Sequence, residues 1–474
     1  MNKLFKLLFP LTDHLYIFQL LEYDNGDLAK WFFQYPFKRQ LQRKHTLVLT
    51  SKALFLLLIA FFLLLFLSFA SSLTQFETVI LIPLYFVMYS VFSPIFLIFA
   101  NLLFSPIERY SRNKLIKLAQ RKQKSLKNLK TVAIVGSFAK TSTKNMLYTL
   151  LWKDFYTVKT PKSYNTAVSI ARSFVRDVKE TTQIYIVEMD AYHPGEIKEL
   201  CKILKPDLGI ITAIGAQHLE RFGSMEKLAK TQFELAQALP KDGILFLNAD
   251  DEWTTALYPE YDGIKQVFFG KNEGRDVQVS DIKVLTNSTQ FTLRIKNEKI
   301  NIKLPLTGEH HAINFASAAS IAYQLGLPLK TIQQRAEMVL PTEHRLEVKK
   351  TGHITIIDNS YNTNPTAARS SLKLLKETEG SEKIVITPGL VELGEQSDVE
   401  NKLLGKEIAE VADMAIIVGE YAKDPIRSGL KEAEFPPEKT HFVKSTARAL
   451  DLVYKNAKKD AVILIENDLP DQYF

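Results

Sequence analysis

Hydrophobic and polar positions divide the chain into two regimes. Up to residue 107 the apolar residues come in long blocks, and neither 53–75 nor 78–107 contains a charged side chain. Past residue 130 the blocks shorten and alternate with amphipathic stretches. Short apolar runs at 132–135, 183–188, 208–213, 244–247, 354–358, 383–387, 414–418 and 461–465 predict strands. Helical stretches between them predict parallel sheets, hence an α/β fold. In 264–304 the runs are closely spaced, and Phe291, Leu293 and Ile295 alternate with Thr292 and Arg294, which predicts an antiparallel patch.

The two uncharged blocks each exceed the roughly 20 residues that cross a bilayer as a helix. The pattern therefore predicts an N-terminal transmembrane helical hairpin, with helices at about 53–75 and 78–106. Pro83, Pro94 and Pro106 are of the kind membrane helices tolerate. Both outer flanks are basic: Lys38, Arg39, Arg43, Lys44 and Lys52 on one side, and nine Lys and Arg with no acid over 109–130 on the other. By the positive-inside rule the chain is expected to be a multi-pass protein of the cell membrane, with both termini and the catalytic domains in the cytoplasm. The first block begins too late and runs too long for a cleaved signal peptide. Aromatic residues at Phe5, Phe9, Tyr16, Phe18, Trp31, Phe32, Phe33 and Phe37 suit an interfacial helix in the first 46 residues.

Composition narrows the chemistry. The single cysteine, Cys201, excludes a disulfide framework and any cysteine-rich zinc site. The net charge of +8 would suit nucleic acid, but its concentration at 109–130, directly after an apolar block, points to membrane lipid as the partner and to no nucleic acid.

Residues 132–144 carry the clearest chemistry. A β-branched strand runs into Gly136 and Ser137, and Lys140, Thr141 and Ser142 open a helix. Backbone N–H groups, a helix N-terminus, a lysine and a hydroxyl in that order suit ATP phosphates and Mg²⁺. Ala139 stands where a glycine usually precedes the lysine, and a left-handed backbone there would be strained.

Further segments occur in a fixed order: Glu188-Met189-Asp190-Ala191, Pro194-Gly195-Glu196, Thr212 through Glu220, Asn248-Ala249-Asp250, Gly308-Glu309-His310-His311 with Asn314, His344-Arg345-Leu346-Glu347, and Asp358 through Pro365. Together with the phosphate loop they resemble the Mur ligase family, nearest its D-alanyl-D-alanine-adding branch, over about 131–474. The resemblance implies a central P-loop parallel-sheet ATPase domain at 131–343 and a Rossmann-like C-terminal domain at 344–474, behind an anchor at 1–130 whose segment 107–130 is basic. It implies ATP-dependent amide formation through an acyl phosphate, joining an amino acid or dipeptide to a carboxylate of a cell-wall precursor. It casts Lys140 as the phosphate-binding lysine, Thr141 and Glu188 as Mg²⁺ ligands, His218 as ligand to a second Mg²⁺, Asn314 at adenine, and Arg345 and Asp358 at phosphate and ribose. His218 would also suit a loop cap, and Arg345 with Asp358 a domain-interface ion pair.

Three departures stand out. Gln232 aligns with the family's carbamylated lysine. Ile463-Leu464-Ile465-Glu466-Asn467-Asp468 occupies the place of a Lys-Gly-Ser often found near the end. The family's UDP-sugar-gripping N-terminal domain finds no counterpart, so a lipid-linked acceptor is expected beside a UDP-linked one. A polyglutamate-type ligase at the membrane and a catalytically inactive membrane-bound scaffold are the alternatives.

Overall fold

The computed structural model of the chain describes residues 11–35, 47–72, 78–285, 287–361 and 363–468, without side chains at 64–65, 67–72 and 78–92. The described chain divides into two compact units, one ending at Lys114 and the other spanning Leu115 to Asp468.

The first unit is helical, with helices Leu11–Leu20, Asn25–Gln34 and Ser51–Ser72 followed by the start of the helix Thr78–Ser125. Asp24 caps the second, its carboxylate accepting from Asp27 N–H at 2.8 Å. Leu15, Phe18 and Leu28 pack with Ala53, Leu56, Ala60, Leu97 and Ala100 in one core, all of them fully buried.

The expected membrane placement is overturned here. Among the described residues no helix is long and apolar enough to cross a membrane. The physical reason lies in the packing. Part of each apolar block is buried against protein rather than offered to lipid, and the second block belongs to a continuous helix of 48 residues that runs on into the basic segment. Residues 73–75 of the expected hairpin lie outside the described residues, as do the side chains of 78–92. The cell-membrane localisation and the transmembrane hairpin are contradicted, and the lipid partner and lipid-linked acceptor that depended on them lose their support.

The second unit is mixed α/β and holds two sheets. The first contains β1 (Lys130–Val135), β2 (Thr157–Lys159), β3 (Ile184–Glu188), β4 (Leu208–Ile211), β5 (Ile244–Asn248), β6 (Lys265–Gly270), β7 (Val277–Leu285), β8 (Ser288–Ile295) and β9 (Glu298–Leu304), in the order 2-3-1-4-5-6-7-8-9. Strands up to β7 pair in parallel, and β7, β8 and β9 pair antiparallel. The expected antiparallel patch is present, but β6 belongs to the parallel set. Alternation along the strands divides the core. Val132, Ile134, Ile186 and Ile210 face the helices Lys140–Leu151 and Glu309–Gln324, whereas Ala133, Val135, Val187 and Ile211 face the helices Ala167–Asp177 and Glu196–Leu204. Both faces being covered, the strands read as continuous apolar runs.

The second sheet contains β10 (Glu347–Thr351), β11 (Ile354–Asn359), β12 (Lys383–Thr387), β13 (Met414–Val418), β14 (Thr440–Val443) and β15 (Val462–Glu466), in the order 10-11-15-12-13-14, with β10 as an antiparallel edge. The strands β2, β10 and β14 were not expected from the sequence.

Two helices on this sheet, Ser397–Ala409 and Lys423–Glu432, cross at Gly405 and Gly429. A β-carbon on Gly429 would run into Lys402 O and lie 3.1 Å from Gly405 Cα. Gly429→Ala is therefore expected to destabilise this part of the chain by about 1–3 kcal/mol, the usual cost of overpacking. Urea unfolding followed by the tryptophan-independent far-UV signal measures it, and an unchanged midpoint would show that the helices separate freely.

Candidate active site

The site is built at the carboxyl ends of β1, β3 and β4, where parallel strands deliver their loops to one edge. Gly136 leaves β1 at φ 135°. A β-carbon there would lie 2.9 Å from Ala213 O and collide with the Thr212 hydroxyl, so the position requires glycine. Gly136 N–H donates to Gln232 Oε1 at 2.9 Å. Ser137 N–H donates to Ala213 O at 2.7 Å, and its hydroxyl accepts from Gly215 N–H at 3.0 Å. The Thr212 hydroxyl donates to Phe138 O at 2.6 Å. Ala139 closes the loop at φ 66° and ψ −7°. This is the left-handed backbone that the missing glycine would have made cheap, and it costs about 1 kcal/mol with a β-carbon. The helix Lys140–Leu151 begins at the next residue.

Two ion pairs and a histidine–carboxylate contact lie around this cavity. Lys144 Nζ lies 2.8 Å from Glu188 Oε2, both side chains being 1% exposed. The Thr141 hydroxyl stands 3.0 Å from each Glu188 oxygen. Lys140 Nζ lies 3.0 Å from Asp190 Oδ2. His218 Nδ1 pairs with Glu392 from the second sheet's loops, and its Nε2 is 3.2 Å from Gln217 Nε2. Burial pulls the Lys144 ammonium below the ordinary lysine value, outweighing the neighbouring charge of Glu188. For Glu392 burial would raise the carboxyl, but the hydrogen bond and charge of His218 and the charge of Arg221 outweigh it and hold the group below its usual range.

Of the residues expected from sequence, Ser137, Lys140, Glu188, His218 and Arg345 line one cavity. Thr141 reaches it through Glu188. Gly136 and Ser142 shape the loop and the first helical turn without lining the cavity. Asn314 lines a second cavity, with Asn248, Asp250, Lys271, Glu309 and His310, and Phe138 borders both. Asp358 lines neither of these two cavities. Its carboxylate is taken by His344 Nδ1 at 2.8 Å and by the Ser360 hydroxyl at 2.6 Å. Burial would raise its pKa, but these bonds hold it below the usual range. The Arg345 guanidinium lies 4.4 Å from the Tyr361 ring centroid.

At the second cavity Glu309 receives Lys271 Nζ at 2.9 Å and Lys373 Nζ at 2.7 Å, which hold its carboxyl down to about 2. Lys373 stands on the helix Pro365–Glu377, so this contact joins the two sheets' halves. Burial drives His310 down to about 4, leaving its ring neutral at pH 7.

The donor set suits Mg²⁺. Thr141 and Glu188 offer hard oxygens, the ligand type that Mg²⁺ takes alongside phosphates and water.

The sequence reading gave no role to Lys144, Asp190, Gln217 or Glu392. Asp190 lies two residues beyond Glu188, on the same strand end, and that spacing was the available signal. Gln232, 3% exposed, braces the phosphate loop through Gly136 and does not line the cavity.

The Mur ligase middle domain family matches residues 134–322, and the Mur ligase glutamate ligase domain family matches 344–466. The chain is 26% identical to the UDP-N-acetylmuramoyl-tripeptide–D-alanyl-D-alanine ligase of Bacillus subtilis, over 71% of this chain and 72% of that protein. The crystal structure of MurF from Acinetobacter baumannii superposes with a TM-score of 0.69 at 26% identity, covering 75% of this chain and 77% of that one. MurF from Thermotoga maritima in complex with ADP gives 0.67 at 27% identity, covering 76% and 80%.

Gln232→Leu keeps the volume but leaves the buried Gly136 N–H without its acceptor. It is expected to cost about 1–3 kcal/mol, read as a lower melting temperature by calorimetry. Wild-type melting would show that the loop holds its shape without this brace.

Proposed function

The chain belongs to the Mur ligase family and is an ATP-dependent acid–amino-acid ligase, and on that premise we propose that it joins a dipeptide such as D-alanyl-D-alanine to a carboxylate of a UDP-linked cell-wall precursor. The observation that carries this reading is one cavity lined by Lys140 at a helix N-terminus, by Glu188 and by Arg345. We assign nucleotide chemistry to 131–343 and the closing face to 344–474.

In this reading phosphoryl transfer to the acceptor carboxylate forms an acyl phosphate and ADP. The dipeptide amine then attacks the acyl carbon, phosphate leaves and the amide forms. The protein's part is positioning and charge neutralisation. Lys140 would neutralise the transferring phosphoryl oxygens. Thr141 and Glu188 would hold Mg²⁺, which when bound offsets the charge of the phosphates. Lys144 fixes the Glu188 carboxylate by a direct contact. His218, with Nδ1 paired to Glu392, would offer Nε2 to a second cation once the Gln217 amide beside it moves away. Asn314 would sit at the base in the second cavity, and Arg345 would face the acyl phosphate. Asp358, occupied by His344 and Ser360, would steady the strand that leads to Tyr361 and Asn364 rather than touch ribose.

The polyglutamate and inactive-scaffold readings have less support. The Bacillus subtilis relative named above is a UDP-N-acetylmuramoyl-tripeptide–D-alanyl-D-alanine ligase, and a scaffold gives no reason to hold Thr141 against Glu188 with Lys140 in the same cavity.

Lys140→Ala is expected to lower ATP-dependent amide formation by about 10²-fold or more, with the far-UV spectrum unchanged. Mass spectrometry of the product formed from a UDP-linked tripeptide precursor and D-alanyl-D-alanine is the measurement. Near-normal turnover in the variant would remove the phosphate-loop assignment, and no new amide with wild type would remove the substrate assignment.

A further inference from the structure

The Lys140 ammonium has three N–H donors, and three acceptors surround it. Gly136 O and Ser137 O are carbonyls of its own loop, and Asp190 Oδ2 is the third. Only Asp190 is charged. The two side chains are 6% and 10% exposed, so little water screens them. Asp190 is itself anchored: Oδ1 accepts from Ala191 N–H at 3.0 Å and Oδ2 from the Asn165 amide at 3.3 Å. Its carboxylate lines the same cavity as the phosphate loop. Glu188, the other carboxylate at this edge, is already matched by Lys144.

A phosphate oxygen can therefore reach Lys140 only by displacing one of these three acceptors. The carbonyls are neutral and belong to the loop. The displacement that matters is that of Asp190, which also repels an incoming phosphate. We propose that Asp190 is a built-in competitor of the nucleotide for Lys140, and that it sets how tightly the phosphate loop binds. The inference rests on the reading that a nucleotide's phosphates occupy this loop. It assigns Asp190 a place neither in the chemical step nor in holding a metal.

The test is calorimetric titration of the full chain with ADP, in excess EDTA and again with Mg²⁺. Asp190→Asn removes the charge at nearly constant volume and keeps an oxygen for Ala191 N–H. Freeing a nearly buried charged partner is expected to tighten ADP binding by about tenfold or more in both buffers. In a Lys140→Ala background the gain from Asp190→Asn should shrink, because the contested ammonium is gone. Unchanged or weaker binding by the Asn variant overturns the inference. Weakening confined to the Mg²⁺ buffer would overturn it in favour of a cation ligand. If wild type itself fails to bind ADP, the nucleotide reading and this inference fall together. If wild type binds and the Asn variant binds equally, only the inference falls. Asp190→Ser carries the same comparison should the Asn variant not fold.

Discussion

The site depends on placing opposite charges side by side at the carboxyl edge of one parallel sheet. An ammonium as buried as that of Lys144 would cost several kcal/mol if left without a partner. Glu188 supplies that partner because β3 pairs with β1 in the register Ile134 to Glu188, which sets the strand's last residue beside the first turn of the helix Lys140–Leu151. Shifting either strand by one residue would turn Glu188 toward the opposite core. Both strands are apolar on both faces, so burial of apolar side chains alone would tolerate that shift. The buried Lys144–Glu188 pair, which only the observed register brings together, opposes it.

The same logic governs the loop at 136–139. Its backbone angles at Gly136 and Ala139 are left-handed or extended in ways a free segment would rarely adopt, and they persist because neighbouring groups over-determine them. Gln232, Ala213, Gly215 and Thr212 each bond to one of its residues. Three of those four come from the segment after β4. The strand order, which puts β4 directly beside β1, is what makes this support available.

The contacts that join the two sheets' halves are of a different kind. Lys373 and Glu309 are 57% and 31% exposed, and pairs so exposed contribute about 0–1 kcal/mol. His218 with Glu392 is more enclosed, at 7% and 26%. The second half also brings Arg345, Tyr361 and Asn364 to the cavity. The firmly packed edge of the first sheet therefore meets the second half through polar contacts such as these, with Ala216 packed against the second core.

Much of this was legible along the chain. Short β-branched runs predicted eight strands of the parallel sheets, because a strand covered on both faces must be apolar throughout. The loop at 136–142 was read as a phosphate loop because phosphate chemistry demands small residues, a lysine and a hydroxyl in a fixed order, and it does lie between a strand and a helix. Pairing was not legible. Asp190 with Lys140, and Glu392 with His218 across 174 residues, are neighbours only once strand order and loop paths are set, and no local pattern encodes them. Asp358 bonds both to Ser360, two residues on, and to His344, fourteen residues back, and the second of these contacts is set by the return of the chain through β10 and β11. The apolar blocks before residue 107 were read as membrane spans because hydropathy records that a side chain avoids water, while only the tertiary structure decides whether protein or lipid receives it.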